Sequence, residues 1–533
     1  MEFSVLDISI LFIYLISITL FGVWIGKKQR NTRDYFLGDR NLPWTAVCFS
    51  VVATETSTLT FISIPGLAYL TNLNFLQITL GFFLGRIIIS FTLLPAYYRG
   101  ELYTAYELLG NRFGPNLRSF ASVVFQITRL LADGVRLFAT AIPLAVLTGW
   151  SYSTSIVIIA FFTIVYTYVG GIRAVVWMDV IQMTLYIGGA LLAGYVLLNQ
   201  LPHGFQSVIA AAGPDNKFDI FNTGFSGGLT GFFRDPYTLI SGLLGGAFLS
   251  MASHGSDQLI VQRLLSCKDL RSSQKALIAS GGIVIVQFAL FLVIGLGLFA
   301  YYEGAPIRSD EIFPRFIVEA LPPGVSGFII AGIFAAAMST LSGSLNSLAS
   351  STMIDIYKPK WGKNNSESKD LLISRLITFF WGLVFIAGAL LFKDKENPVV
   401  ELGLAIASFT YGGLLGTFFL GNWKNKVSEN DALVSMWSAI YFMTWIIGQK
   451  GWILNIIVFL NVLAAIWIFY MAKDKKHRLF VFFWLLLITT LVFSIPAFKF
   501  AWPWYVFLGS IITFTIGNLL ALIEGGTSQD HSA

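Results

Sequence analysis

Charge is scarce in this chain. Only 12% of its 533 residues are Asp, Glu, Lys or Arg, about half the share of an average soluble domain, and the shortage runs the whole length. That excludes a cytosolic enzyme, a disordered scaffold and a nucleic-acid binder. The 35 Lys and Arg against 29 Asp and Glu leave +6, but no basic block is long enough to grip a phosphate backbone. Cysteine is nearly absent. Cys48 and Cys267 lie in or beside apolar segments, so neither a disulfide framework nor a zinc cluster is expected. Four histidines, without HExxH-type spacing, leave metal-centre chemistry without ligands. No nucleophile–base pair stands out, so neither an enzyme nor an organic cofactor is expected.

Apolar residues are what the chain has. They make up 56% of it, aromatics 15%, and the mean hydropathy is +0.72. This is the composition of an all-α polytopic protein of the lipid bilayer. Fifteen segments approach the roughly 20 apolar residues that a spanning helix needs: 5–26, 44–70, 75–98, 117–148, 152–170, 175–199, 236–262, 275–303, 325–354, 371–392, 398–421, 431–448, 452–472, 479–495 and 502–523. Trp44, Trp150, Trp423, Trp437, Trp452, Trp502 and Trp504 sit near proposed ends, as interfacial belts require. The first segment has Glu2 and Asp7 where a signal peptide carries cations, so it reads as a retained helix.

Lysine and arginine set the orientation. With the N-terminus outside, the cytoplasmic loops hold 23 of them and the outer loops 8, which predicts a multi-pass protein of the cell membrane with a cytoplasmic C-terminus. The long loop 200–235 separates two groups of five spans, 44–199 and 236–421. Residues 1–43 precede them with one extra helix, and 422–533 follow with about four. Five is odd, so the second group enters the membrane inverted. The first helix of each group is interrupted by polar residues: Thr54-Glu55-Thr56-Ser57-Thr58 in one, Ser253-His254-Gly255-Ser256-Asp257 in the other. Interrupted helices at matching places of two inverted halves mark the binding site of a secondary transporter. A Ser/Thr-rich helix bonding back to its own carbonyls is the plainer reading of either alone.

Three polar constellations stand out. In the ninth span Ser339, Ser342, Gly343 and Asn346 share a face, with Thr340 beside them. Their neutral oxygens, with carbonyls freed by a broken helix, suit Na⁺, and the same residues suit a small-residue packing face. Asp179, in the sixth span, is a costly intramembrane carboxylate, either ion-related or paired with Arg173. Arg129, Asp133 and Arg136 share a face of the fourth span. One carboxylate cannot neutralise two guanidiniums, so either Glu55 balances the surplus or one arginine holds a substrate carboxylate.

Gly170-Gly171 through Asp179 and Gln182, the Asp257-Gln258-x-x-Val261-Gln262-Arg263 run and Ala335-Ala-Ala-Met-Ser-Thr-Leu-Ser342 resemble the solute:sodium symporter family over roughly residues 1–425. The resemblance implies a LeuT-type core of two five-helix inverted repeats, about 15 transmembrane helices in all, and Na⁺ as coupling ion. It implies a main sodium site at the carbonyls of Ala53, Thr56 and Ala336 and the hydroxyls of Ser339 and Thr340. Some members bind a second sodium beside the residue matching Asp179, with hydroxyls matching Ser339, Ser342 and the next position. Here that position is Gly343, one ligand short. The matched substrate positions are Ser57, Thr60, Asn74, Gln77 and Asp257. Val284 and Gly403 replace polar groups of sugar carriers, and an unpaired sugar hydroxyl costs about 1–3 kcal/mol. The expected activity is therefore sodium-driven symport of a small organic anion or zwitterion, with no obligate protein partner. Proton coupling through Asp179 or Asp257, or a solute sensor of the same fold, are the rival expectations.

Overall fold

The computed structural model describes residues 4–27, 29–225, 227–391, 399–422, 427–448, 451–472 and 474–529; Trp423 lies outside them. In chain order the main helices are α1 (Val5–Gly26), α2 (Trp44–Glu55), α3 (Thr58–Leu70), α4 (Leu76–Phe91), α5 (Pro115–Thr148), α6 (Tyr152–Gln200), α7 (Gly246–Gly255) and α8 (Gln258–Leu265). They continue with α9 (Leu270–Tyr301), α10 (Val325–Ser351), α11 (Glu367–Leu391), α12 (Val399–Asn422), α13 (Glu429–Ile447), α14 (Gly451–Met471), α15 (Lys475–Ser494) and α16 (Trp504–Gln529). Among the described residues eight helices are long and apolar enough to cross a membrane, and the bent pair α2–α3 makes a ninth. The other candidate segments are helical too, but shorter, more polar or incompletely described.

Contacts divide the chain into two units. The first comprises Met1–Thr79, Arg129–Asn222 and Gln262–Gly403. Its centre is α10, where every residue from Ile329 to Ser351 is buried. A helix apolar or small all round is a core helix, and this one carries its hydroxyls inward. Most satisfy themselves on the previous turn: Thr340 Oγ1 on Ala336 O, Ser342 Oγ on Ser339 O, Ser347 Oγ on Ser344 O and Ser350 Oγ on Ser347 O. In its middle, Ser339 reaches Asp179 and Ser344 reaches Asp133 on other helices.

α6 runs for 49 residues, at about 1.5 Å per residue more than two hydrocarbon thicknesses. The segments 152–170 and 175–199 meet inside it at Gly171, where φ is +53° and ψ −155°, a backbone state reserved for glycine. Carbonyls loosened at the bend find side chains: Tyr35 Oη donates to Thr167 O at 3.2 Å, and Gln29 Nε2 to Gly170 O at 2.7 Å. α1 lies against this stretch. A Cβ on Gly26 would sit 2.3 Å from the Gly170 Cα, so only glycine permits this approach. Asp7, at the other end of α1, caps α10: its Oδ1 accepts from Gly324 N, Ser326 Oγ and Gly327 N, each at 2.8 Å.

The predicted interruption of the first group falls between α2 and α3, which meet at 60°. Thr56 N still donates to Val52 O, Ser57 caps α3 through Thr60 N, and Thr58 Oγ1 donates to Ile333 O of α10 at 3.1 Å.

The second unit comprises Leu80–Thr128, Thr223–Val261 and Leu404–Ala533. The second predicted interruption lies here, between α7 and α8. Tyr97 Oη donates to Gly255 O at 2.6 Å, and Gln258 receives Ala105 N and donates to Tyr103 O. α13 starts with a capping box of Ser428 and Asp431, and Asp431 meets His477 Nε2 at 3.0 Å. Trp437, 1% exposed, donates to Asn461 O of α14.

Candidate functional site

The polar interior of the first unit forms two connected clusters on either side of α10. In one, Asp179 of α6 is fully buried. The expected alternative partner Arg173 is elsewhere, 3.6 Å from Asp34 and bonded to Gly38 O. The carboxylate is held by Arg263 Nη2 at 3.1 Å, by Ser339 Oγ at 2.6 Å and by the hydroxyl of Ser50, which also accepts from Arg263 Nε at 2.8 Å. Arg263 corrects the loop count made from sequence: it is 0% exposed and is no surface cation. A buried guanidinium needs a carboxylate and further acceptors, and this one has both.

In the other cluster Asp133 of α5 stands between the two arginines of its own helix. Arg129 Nη1 is 3.4 Å from Oδ2 and Arg136 Nη1 is 3.0 Å from Oδ1; Ser344 of α10 donates to Oδ2. The arginines are not equivalent. The side chain of Arg129 is 2% exposed, that of Arg136 23%. Arg136, Asp133, Leu137 and Thr140 form one wall of a partly open cleft, opposite Ser57, Thr58, Ala337, Thr340 and Leu341. The cleft is small, with room for about one water molecule. Among the described residues the remaining donors of Arg136 make no hydrogen bond, and they border this cleft.

The residues expected at the main sodium site lie on the facing segments of α2 and α10. Ala53 and Thr56 are buried at the end of α2, where a helix leaves its last carbonyls without amide partners. Ala336 and Ser339 are 0% exposed and Thr340 5%. Gln287 of α9, which the sequence reading did not single out, donates from Nε2 to Thr56 Oγ1 at 2.6 Å and so fixes the residue where the helix breaks. Hydroxyls and carbonyls are the ligands of a hard cation, and this donor set fits one. Of the second proposed set, Ser342 Oγ is returned to its own helix and Asp179 already faces a guanidinium.

The expected substrate positions are divided between the two units. Ser57 lines the cleft, with Thr60 Oγ1 3.4 Å from its hydroxyl. Asn74 and Gln77 hold the 200–235 loop. Gln77 Oε1 accepts from Asn222 N at 3.1 Å, and the Asn74 amide nitrogen, in its satisfied orientation, donates to Asp219 O and Ile220 O. Asp257 belongs to the second unit, where Oδ1 caps α8 through Leu259 N and Oδ2 accepts from Tyr411. Ser50, Arg263, Gln287 and Ser344 were missed by the sequence reading. Arg263 alone carried a signal, as the last residue of the Val261-Gln262-Arg263 run.

Known proteins carry the same plan. A sodium/sialic acid symporter, NanT of Aliivibrio fischeri, is 29% identical over 84% of this chain and 88% of its own. The sodium/sialic acid symporter SiaT of Proteus mirabilis is 29% identical over 82% and 88%, and a rabbit sodium-dependent multivitamin transporter 27% over 83% and 70%. The fold matches a solved Na⁺-coupled sialic acid symporter, caught substrate-bound and outward-open, with a TM-score of 0.78 at 25% identity over 98% of both chains. Residues 35–439 match the family as a whole. An all-helical bundle whose central helix is lined with hydroxyls thus sits in a lineage of transporters that use Na⁺ as the coupling ion, and the chain belongs to the sodium:solute symporter family.

Proposed function

We propose that this protein imports a small organic anion with about one Na⁺ per cycle, across the cell membrane, by alternating access. In this reading 44–199 and 236–421 are the inverted LeuT-type repeats, the N-terminus is outside and the C-terminus cytoplasmic. Sodium binds where α2 breaks, to the carbonyls of Ala53, Thr56 and Ala336 and the hydroxyls of Ser339 and Thr340. The solute takes the neighbouring cleft, which Thr340 and Ser57 border. The observation that carries the solute class is Arg136. Among the described residues only its Nη1 is bonded, to Asp133, so the cleft it borders meets a guanidinium charge with donors to spare. A carboxylate can satisfy that charge with a bidentate pair. Related proteins are named for sialic acid, monocarboxylates and iodide, all anions at neutral pH.

With one Na⁺ and one monovalent anion the cycle moves no net charge, so the sodium gradient drives it and the membrane potential, about 2.3 kcal/mol per net charge per 100 mV, adds nothing. The buried Arg263–Asp179 pair supports a single sodium, since the second carboxylate already has its cation.

The test is uptake into proteoliposomes of radiolabelled sialic acid, lactate, iodide and glucose. Each is measured with an inward Na⁺ gradient, with choline replacing sodium, and with a pH gradient alone. The reading expects sodium-dependent accumulation of at least one carboxylate and none of glucose. Uptake driven by the pH gradient without sodium, or by glucose as well as by the acids, overturns it.

A further inference from the structure

α10 is wedged between two buried carboxylates. Ser339 and Ser344, five residues apart, point roughly 140° from one another around the helix, the first to Asp179 and the second to Asp133. Thr340 lies one turn before Ser344 on the same side and borders the cleft that Arg136 also borders. Ser344 is 0% exposed and stands behind the cleft, whereas Asp133, 2% exposed, lines it beside Arg136. Asp133 spends Oδ1 on Arg136 and Oδ2 on Arg129 and Ser344. The position of its carboxylate therefore depends on where α10 puts the Ser344 hydroxyl, and the fork of Arg136 turns on that carboxylate.

We infer that Ser344 is a positioning residue that transmits sodium occupancy to Arg136. Resting on the proposed sodium site, this goes beyond it by naming the link. The ion draws Thr340 and Ala336 toward the end of α2. One turn on, Ser344 moves with the helix, and through Asp133 it sets the guanidinium in the pose that receives an anion. A hydroxyl that returned to its own helix, as Ser347 and Ser350 do, could not report α10 to α5. Linkage requires the reverse as well: an anion on Arg136 tightens sodium at Thr340 by the same factor.

Hydrogen exchange of the intact protein in lipid nanodiscs tests this with sodium as the sole probe, potassium being the control and no solute present. In the wild type, sodium should slow exchange about fivefold or more in two segments, 336–341 and 129–140, a coupling of ordinary size. In Ser344→Ala the protection of 336–341 should persist and that of 129–140 should vanish. Ser344→Thr keeps the hydroxyl and should restore it, an outcome that simple loss of packing does not predict. Protection of 336–341 without 129–140 in the wild type overturns the link, whether or not the alanine variant folds. Equal protection of 129–140 in wild type and Ser344→Ala overturns it too. Protection of neither segment removes the sodium site and this inference together, whereas failure of solute uptake alone touches only the proposed solute.

Discussion

Ser339 Oγ donates to Asp179 Oδ1 at 2.6 Å, so the helix that carries the proposed sodium hydroxyls is bonded to a carboxylate that Arg263 already neutralises. The serine thus faces two duties. Its hydroxyl proton goes to Asp179, which leaves its oxygen lone pairs for a cation beside Thr340. A carboxylate at its back makes that oxygen a better ligand, because a hydroxyl that donates is polarised toward accepting.

Removing those oxygens should weaken sodium before it weakens the fold. Ser339→Ala and Thr340→Ala are each expected to raise the sodium concentration for half-maximal uptake by roughly tenfold, one lost contact of 1–3 kcal/mol. The quantity to compare is uptake against sodium, normalised to folded protein from size-exclusion chromatography. Wild-type sodium dependence in the double variant removes the site.

Gln287 should act on the same site from behind. Its Nε2 holds Thr56 Oγ1, so Gln287→Leu is expected to raise the sodium requirement about three- to tenfold, near 1 kcal/mol. Maximal uptake at saturating sodium should change little. A fall in maximal uptake with no shift in sodium dependence would mean that Gln287 only packs α9.

The two arginines of α5 should part company. Arg136→Gln is expected to weaken apparent affinity for a carboxylate solute about 10- to 150-fold, the loss of a charge-assisted pair of 1.5–3 kcal/mol. Arg136→Lys keeps the charge without the fork and should recover part of it. Arg129→Gln should instead lower the yield of folded protein, because its side chain is 2% exposed beside Asp133. Unchanged affinity in Arg136→Gln assigns the arginine to packing.

The Arg263–Asp179 pair makes the sodium count measurable. In vesicles held at zero potential, the equilibrium accumulation of a monovalent anion should rise with the first power of the sodium gradient, one Na⁺ per solute, and a second-power dependence refutes the reading. Arg263→Gln strands a buried carboxylate, so it is expected to cost about 3–5 kcal/mol of stability. Arg263→Gln with Asp179→Asn removes both charges and should recover most of that, as read by thermal unfolding in detergent.

The broken helices were legible because polar residues inside an apolar run have few other uses. Thr54 to Thr58 and Ser253 to Asp257 fall where α2 gives way to α3 and α7 to α8. The shared face of Arg129, Asp133 and Arg136 was legible from helical spacing, but not which arginine meets the cleft, since exposure depends on neighbours from α10. Arg263 was misassigned for a similar reason. In sequence it stands at the edge of a segment rich in loop signals, and only tertiary contact with Asp179, 84 residues away, shows it buried. Asn74 and Gln77 are expected solute positions through the resemblance alone, and no local pattern shows what they hold in this chain. Their partners, the backbone at 219–222, lie some 145 residues on, beyond any local pattern.

The carboxylate of Asp7 has a consequence for biogenesis. Its partners on the α10 cap lie 317 to 320 residues later in the chain. At 5–20 residues per second, about 15–60 s of synthesis separates them. In that interval Asp7 has Ser4 for company, and α1 waits at the translocon or in lipid as an undocked helix. α1 is therefore locked only once the start of α10 has been made. A tag or truncation ahead of Val5 acts on the start of α10, and so at long range on the hydroxyls that the same helix presents further along.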